Sequence, residues 1–114
     1  MNEQLQLLVQ LQDIDNMIKE FTEGGGRREE ELGFRIKEVE ILRRAREELA
    51  GRIEKRFLRL YQRLSARYGR AVVPVLNRTC LGCFAILPTA RDQQGASNAE
   101  VLTCESCGRI LYWL

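Results

Sequence analysis

Four cysteines carry the most specific chemistry in this chain, arranged as Cys80-Leu-Gly-Cys83 and Cys104-Glu-Ser-Cys107, and no other cysteine occurs. Two thiolates three residues apart reach one ion from a single tight turn. Two such pairs supply the closed tetrahedral sulfur set of a structural zinc site. The 20 residues between the pairs fall within zinc-ribbon spacing. The expected cofactor is one structural Zn2+ held by Cys80, Cys83, Cys104 and Cys107. Four protein ligands leave no position for water or substrate, which points to structure rather than catalysis. Tetrahedral sulfur also suits iron, so iron is the chemical alternative. A redox pair would need a βαβ context that the pattern lacks. Gly82 and Gly108 are the expected tight points of the two knuckles, where positive φ is often required.

A module of this size cannot bury enough surface to fold alone, so the metal must supply folding free energy. Around the cysteines, Ala71-Val-Val-Pro-Val75 reads as an edge strand, since proline removes a ladder donor. Glu100–Thr103 and Arg109–Leu114 read as strands, and polar residues 91–98 as a loop. Phe84, Tyr112 and Trp113 either stack on nucleic-acid bases or pack a small core. Packing is the favoured role, because buried aromatic area is what so small a module lacks.

The elements that position this module are helical. Leu7, Leu11, Ile14, Ile18 and Phe21 repeat in steps of four and three, with Leu5, Leu8 and Met17 widening the face. A helix over about residues 3–23 follows, capped by Asn2. A second helix is expected over about 27–69, ended by Gly69. Its apolar positions, Leu32 through Tyr68, drift slowly along one stripe. Gly24-Gly25-Gly26 between them reads either as a natural hairpin turn or as a splice replacing the far end of a longer hairpin. The fold class is therefore α+β: an antiparallel coiled-coil hairpin over 1–70, then a zinc ribbon over 71–114.

Helices of about 30 Å and about 60 Å cannot cover each other fully. The stripe Ile53, Phe57, Leu60, Leu64 and Tyr68 needs another cover: the ribbon, a partner helix, or a second copy in a homodimer. On the opposite face lie Arg56, Arg59, Arg63, Arg67 and Arg70. Residues 1–23 hold one Lys against five acidic residues, whereas 24–70 hold 14 Lys or Arg against eight Glu. No acidic residue occurs from Arg56 to Arg70, so a solvated face explains that stretch poorly. Arginine suits phosphate or carboxylate, which implies nucleic acid or an acidic protein. There is no histidine, the commonest acid–base group, so an enzyme is the least favoured class. No membrane span and no secretory signal is visible, and paired thiols suit a reducing cytoplasm.

Residues Leu60-Tyr-Gln-Arg-Leu64, Val72-Val-Pro-Val75, Cys80-Leu-Gly-Cys-Phe84, Leu87-Pro88 and Leu102-Thr-Cys-Glu-Ser-Cys-Gly-Arg-Ile-Leu-Tyr112 carry a resemblance. They are similar to the bacterial C4-type zinc-ribbon proteins that place a long coiled-coil hairpin before the ribbon. The resemblance covers about half the chain, and the coiled coil here is much shorter than in that family. It implies a non-enzymatic cytoplasmic protein. It also implies RNA binding or chaperone-like contacts with transcription factors in flagellar regulation. The leading expectation is a nucleic-acid-binding adaptor, with RNA the favoured nucleic acid and Arg78 and Arg109 adding contacts. The competing one is a protein-interaction scaffold.

Overall fold

A computed structural model describes residues 1–23 and 29–114, with side chains for 1–23 and 36–114. The triple glycine, with both readings of it, and Leu32 of the stripe lie outside the described side chains. The elements run α1 (Glu3–Glu23), α2 (Glu29–Arg52), α3 (Lys55–Tyr68), β1 (Val72–Leu76), β2 (Thr79–Cys80), α4 (Thr89–Gly95), β3 (Leu102–Thr103) and β4 (Ile110–Trp113). The chain is α+β, with one four-stranded mixed sheet ordered β2-β1-β4-β3.

Asn2 caps α1: its Oδ1 accepts from the backbone N–H groups of Gln4 at 2.8 Å and Leu5 at 3.2 Å. At the far end of α3, Gly69 adopts φ 78° and donates its N–H to Ser65, the expected stop. The long helix expected over 27–69 is instead two helices. Glu54 leaves the helical path with ψ 136°, and a new helix starts at Lys55. The apolar stripe runs unbroken across this point, so periodicity gives no sign of it. The break is held by Gln4. Its side-chain amide donates to the Arg52 carbonyl and accepts from the Glu54 N–H, satisfying two backbone groups the break would orphan.

The break changes what covers the stripe. Ile53 and Leu64 are buried with Leu5, Leu7, Leu8 and Leu11 of α1 and with Ala71, Val72 and Ile110. Phe57, Leu60 and Tyr68 pack against the same cluster. An intramolecular cover is present: α1 and the sheet bury Ile53 and Leu64 and cover Phe57, Leu60 and Tyr68 in part. Met17, expected to widen the apolar face, is exposed. The burial on α1 is concentrated at the end that meets the sheet.

Strands β1 and β4 run parallel, with Val72 opposite Ile110 and Val75 opposite Trp113. Alternate residues face opposite sides. Val72 and Ile110 enter the helical core, while Val73, Val75 and Leu111 enter a second core with Cys80, Leu87 and Cys104. Strand β1 is thus interior, not the edge strand that Pro74 suggested. The Pro74 carbonyl accepts from the Leu81 N–H on the β2 side. A residue's N–H and C=O share a side in a strand, so the missing proline donor falls at the end of β2 and no β4 ladder bond is lost. Residues 91–98 are also not wholly loop. Helix α4 packs on Trp113, whose Nε1 donates to Asp92 at 2.9 Å. A Cβ on Gly95 would run into the indole. Tertiary contact with the tryptophan, rather than helix propensity, supports this short segment.

Two polar groups join helices and sheet. Gln12, 8% exposed, accepts at Oε1 from the Ala71 and Val72 N–H groups and donates Nε2 to the Val72 carbonyl at 2.8 Å. Tyr61 donates to Asp15 at 2.7 Å, and Arg46 meets the other oxygen of that carboxylate. Burial first, then the Asp15 hydrogen bond, push the Tyr61 phenol well above its usual range, so it stays a donor at any physiological pH. Replacing Gln12 by Leu orphans three buried backbone groups. The expected loss is about 3 kcal/mol in chemical denaturation of the metal-saturated protein. Exposed Gln10→Leu is the control, expected to stay within about 0.5 kcal/mol. Equal stabilities for the two variants would refute the clamp.

Candidate functional site

The two C-x-x-C turns meet beneath the sheet. All four Sγ atoms lie within 4.8 Å of one another. Cys80 and Cys107 are 3.9 Å apart, and Cys83 and Cys104 are 3.8 Å apart. A tetrahedral ion with metal–sulfur bonds of about 2.3 Å requires edges of about 3.8 Å, so the donor set fits one metal ion. None of the four is disulfide-bonded.

Each turn is built the same way. The Cys80 carbonyl accepts from the Phe84 N–H at 2.7 Å, and the Cys104 carbonyl from the Gly108 N–H at 2.8 Å. Cys80 N–H donates to Ala85, and Cys104 N–H to Arg109, both at 2.9 Å. The fourth residue after each leading cysteine must be left-handed: Phe84 has φ 63° and Gly108 has φ 79°. Gly108 fills the role the sequence suggested. Gly82 does not, because Phe84 takes the left-handed position in the first turn, at a cost of about 1 kcal/mol for a residue with a Cβ. Gly82 is needed for space instead: a Cβ there would run into the Arg109 guanidinium and Val73.

Arg109 sits against this turn with its guanidinium 4.0 Å from the centroid of the Tyr68 ring. Its Nε is buried without a hydrogen-bond acceptor, and the ring face provides the compensating negative potential. Tyr68 in turn donates its phenol to the Cys107 carbonyl at 2.9 Å. Four thiolates around a divalent ion leave a net negative charge, which a guanidinium at the knuckle offsets. Arg78 donates to the Leu87 carbonyl at 3.1 Å and lies in the tight turn between β1 and β2. Both arginines, expected to add contacts to a partner, are engaged within the chain, Arg109 half-buried and Arg78 exposed.

The thiols differ in acidity. Burial raises Cys80, and it pushes Cys107 up to about 12. At Cys83 burial also acts upward but is outweighed by the Ala85 backbone N–H and the neighbouring thiols, which bring it to about 7. Thiolate, not thiol, ligates metal.

Arg56, Arg59, Arg63, Arg67 and Arg70 are all exposed, along and just beyond α3. Arg56 pairs with Glu54 at 2.8 Å. Among the described residues the other four have no carboxylate in salt-bridge reach. Of the module's aromatics, Tyr112 packs on the helical core and Trp113 on the second core. Phe84 does not pack. It is 72% exposed, as is Ile86 at 73%. Among the described residues, no helix is long and apolar enough to cross a membrane.

No protein-family model and no curated protein matches the sequence. Solved structures do. CT398 from Chlamydia trachomatis superposes with a TM-score of 0.64 at 30% identity, and the HP0958 protein from Helicobacter pylori CCUG 17874 with 0.69 at 26%. Each match covers 75% of this chain and only 36% of the other, so the chain spans little more than a third of the length of either. With the four-cysteine cluster, these likenesses are consistent with a zinc-ribbon-like protein.

Metal analysis of the purified chain is expected to give one ion per chain, lost in Cys80→Ser or Cys104→Ser. At neutral pH, Cys80 and Cys107 each release a proton on metal binding. Apparent affinity therefore falls as pH drops, and chelator competition across pH measures it. A pH-independent affinity would contradict the thiol assignment.

Proposed function

We propose that the chain is a non-enzymatic adaptor that binds nucleic acid, with RNA the favoured form, through the arginine face of α3. The observation that carries this reading is the burial contrast on one helix. One face of α3 is sunk in the core through Tyr61 and Leu64, while Arg56, Arg59, Arg63, Arg67 and Arg70 stay in water. Core packing therefore holds that surface in place. Four guanidiniums without acidic partners repel one another unless an external anion meets them. Arginine rather than lysine supplies the charge, which suits bidentate phosphate contact.

Within this reading, α1 and α2 form an antiparallel hairpin. Its pairings run in opposite directions, Glu3 near Arg52 and Asp15 near Arg46. The cysteine module is a zinc ribbon, and zinc is favoured over iron by ligand set and spacing. The ribbon's part is structural: its closed sulfur set fixes the C-terminal end of α3 through Tyr68 and Arg109. The absence of histidine and the closed set support a role without catalysis.

If five phosphates of a single strand are neutralised, log K falls against log salt with a slope of about −3.5. Removing two charges in Arg59→Gln/Arg63→Gln reduces the slope by about 1.4 while leaving the melting temperature unchanged. Filter binding across a salt series measures both. Affinity indifferent to salt, or no binding at low salt, would overturn the proposal.

A further inference from the structure

The two knuckles provide an internal comparison. Both require a left-handed residue at the same place, Phe84 in the first and Gly108 in the second. Glycine adopts that conformation without strain, and the chain uses it in the second knuckle. In the first it keeps a large aromatic residue in a conformation that disfavours one. Folding gives no compensation, since the ring is 72% exposed and belongs to neither core. Strain retained without a packing return marks a residue held for an external contact.

Position says what that contact is. From the C-terminal turn of α3 a line of groups leads to the first knuckle. The Arg67 guanidinium lies 5.1 Å from the Tyr68 ring centroid, and Arg109 lies 4.0 Å from it. Arg109 then abuts Gly82, two residues before Phe84. The exposed Phe84 thus lies two residues from a glycine that Arg109 joins to the last turn of α3. A charged backbone with flat, apolar faces projecting from it is the chemistry of a single-stranded nucleic acid, in which bases are free to stack on aromatic rings.

We propose that Phe84 is a base-stacking platform for single-stranded RNA whose phosphates run along the α3 arginines. The inference rests on the nucleic-acid reading above and adds a residue, a strand state and a contact type to it. Stacking is tolerant of sequence, because every base has a π face, and it adds no charge. A duplex keeps its base faces in the stack, so Phe84 has no partner there.

The test uses fluorescence anisotropy with a short labelled RNA of mixed sequence, single-stranded and as a duplex, on the metal-loaded full chain. Phe84→Gly relieves the strain, so its melting temperature is expected to equal or exceed the wild type. Its affinity for the single strand falls roughly 5- to 100-fold. The salt slope and duplex affinity do not change. Phe84→Leu keeps an apolar side chain and loses a similar factor, whereas Phe84→Trp retains binding. A wild type that binds RNA alongside Phe84→Gly and Phe84→Leu variants that bind equally well overturns the platform and leaves the arginine reading standing. A wild type that does not bind RNA overturns both.

Discussion

The parallel pairing of β1 with β4 is the constraint on which the rest of the molecule depends. Two short strands serve two cores at once. Val72 and Ile110 close the helical core on one side, and Val73, Val75 and Leu111 close the core around the cysteines on the other. Parallel strands need a long connection, and here it contains both knuckles, β2, α4 and β3. Neither core is large, and neither is complete without the strands. Cys80 and Cys104 are core residues of the second cluster as well as members of the four-sulfur set. A metal held there would couple its binding to hydrophobic burial.

Side-chain amides fix the pairing where backbone partners run out. Gln12 completes the hydrogen bonds of Ala71 and Val72 before the ladder begins, and Gln4 completes those of the broken helix. Asn98 does the same at the other end, accepting from the Trp113 N–H at 2.7 Å and donating to its carbonyl at 2.8 Å. An amide suits these places because it donates and accepts at once and carries no charge to desolvate.

What was legible in the sequence follows from whether the rule is local. The four-cysteine cluster was, since a C-x-x-C turn is a local geometry with few other uses. The Asn2 cap and the Gly69 stop were legible for the same reason. The Gln12 and Gln4 clamps were not, because their partners are backbone atoms about 50 or 60 residues away. Nor was the break at Glu54, which leaves the apolar period intact. Helix α4 forms on the indole of Trp113, a contact that polar residues 91–98 do not announce. Phe84 was misjudged for a physical reason. Aromatic residues in small modules usually add buried area, and only the backbone conformation shows that this one is placed where it adds none. A left-handed requirement four residues after a leading cysteine, met by glycine in one knuckle and not in the other, is the signal available to sequence inspection.

The same geometry joins the cysteine cluster to the arginine surface. The last turn of α3 bears Tyr68, whose phenol holds the Cys107 carbonyl and whose ring carries Arg109. Arg67 and Arg70 flank this residue. Were the second knuckle to lose its shape, the Tyr68 hydrogen bond would lose its acceptor and Arg109 the turn it rests on. The C-terminal half of the arginine face would then keep only its packing on the helical core through Leu64 and Tyr68, whereas its start at Arg56 would stay fixed by Ile53, Phe57 and Gln4. The cysteine cluster thus has a reach beyond its four sulfurs. Its second turn supplies the backbone carbonyl on which Tyr68, at the end of the basic helix, is seated.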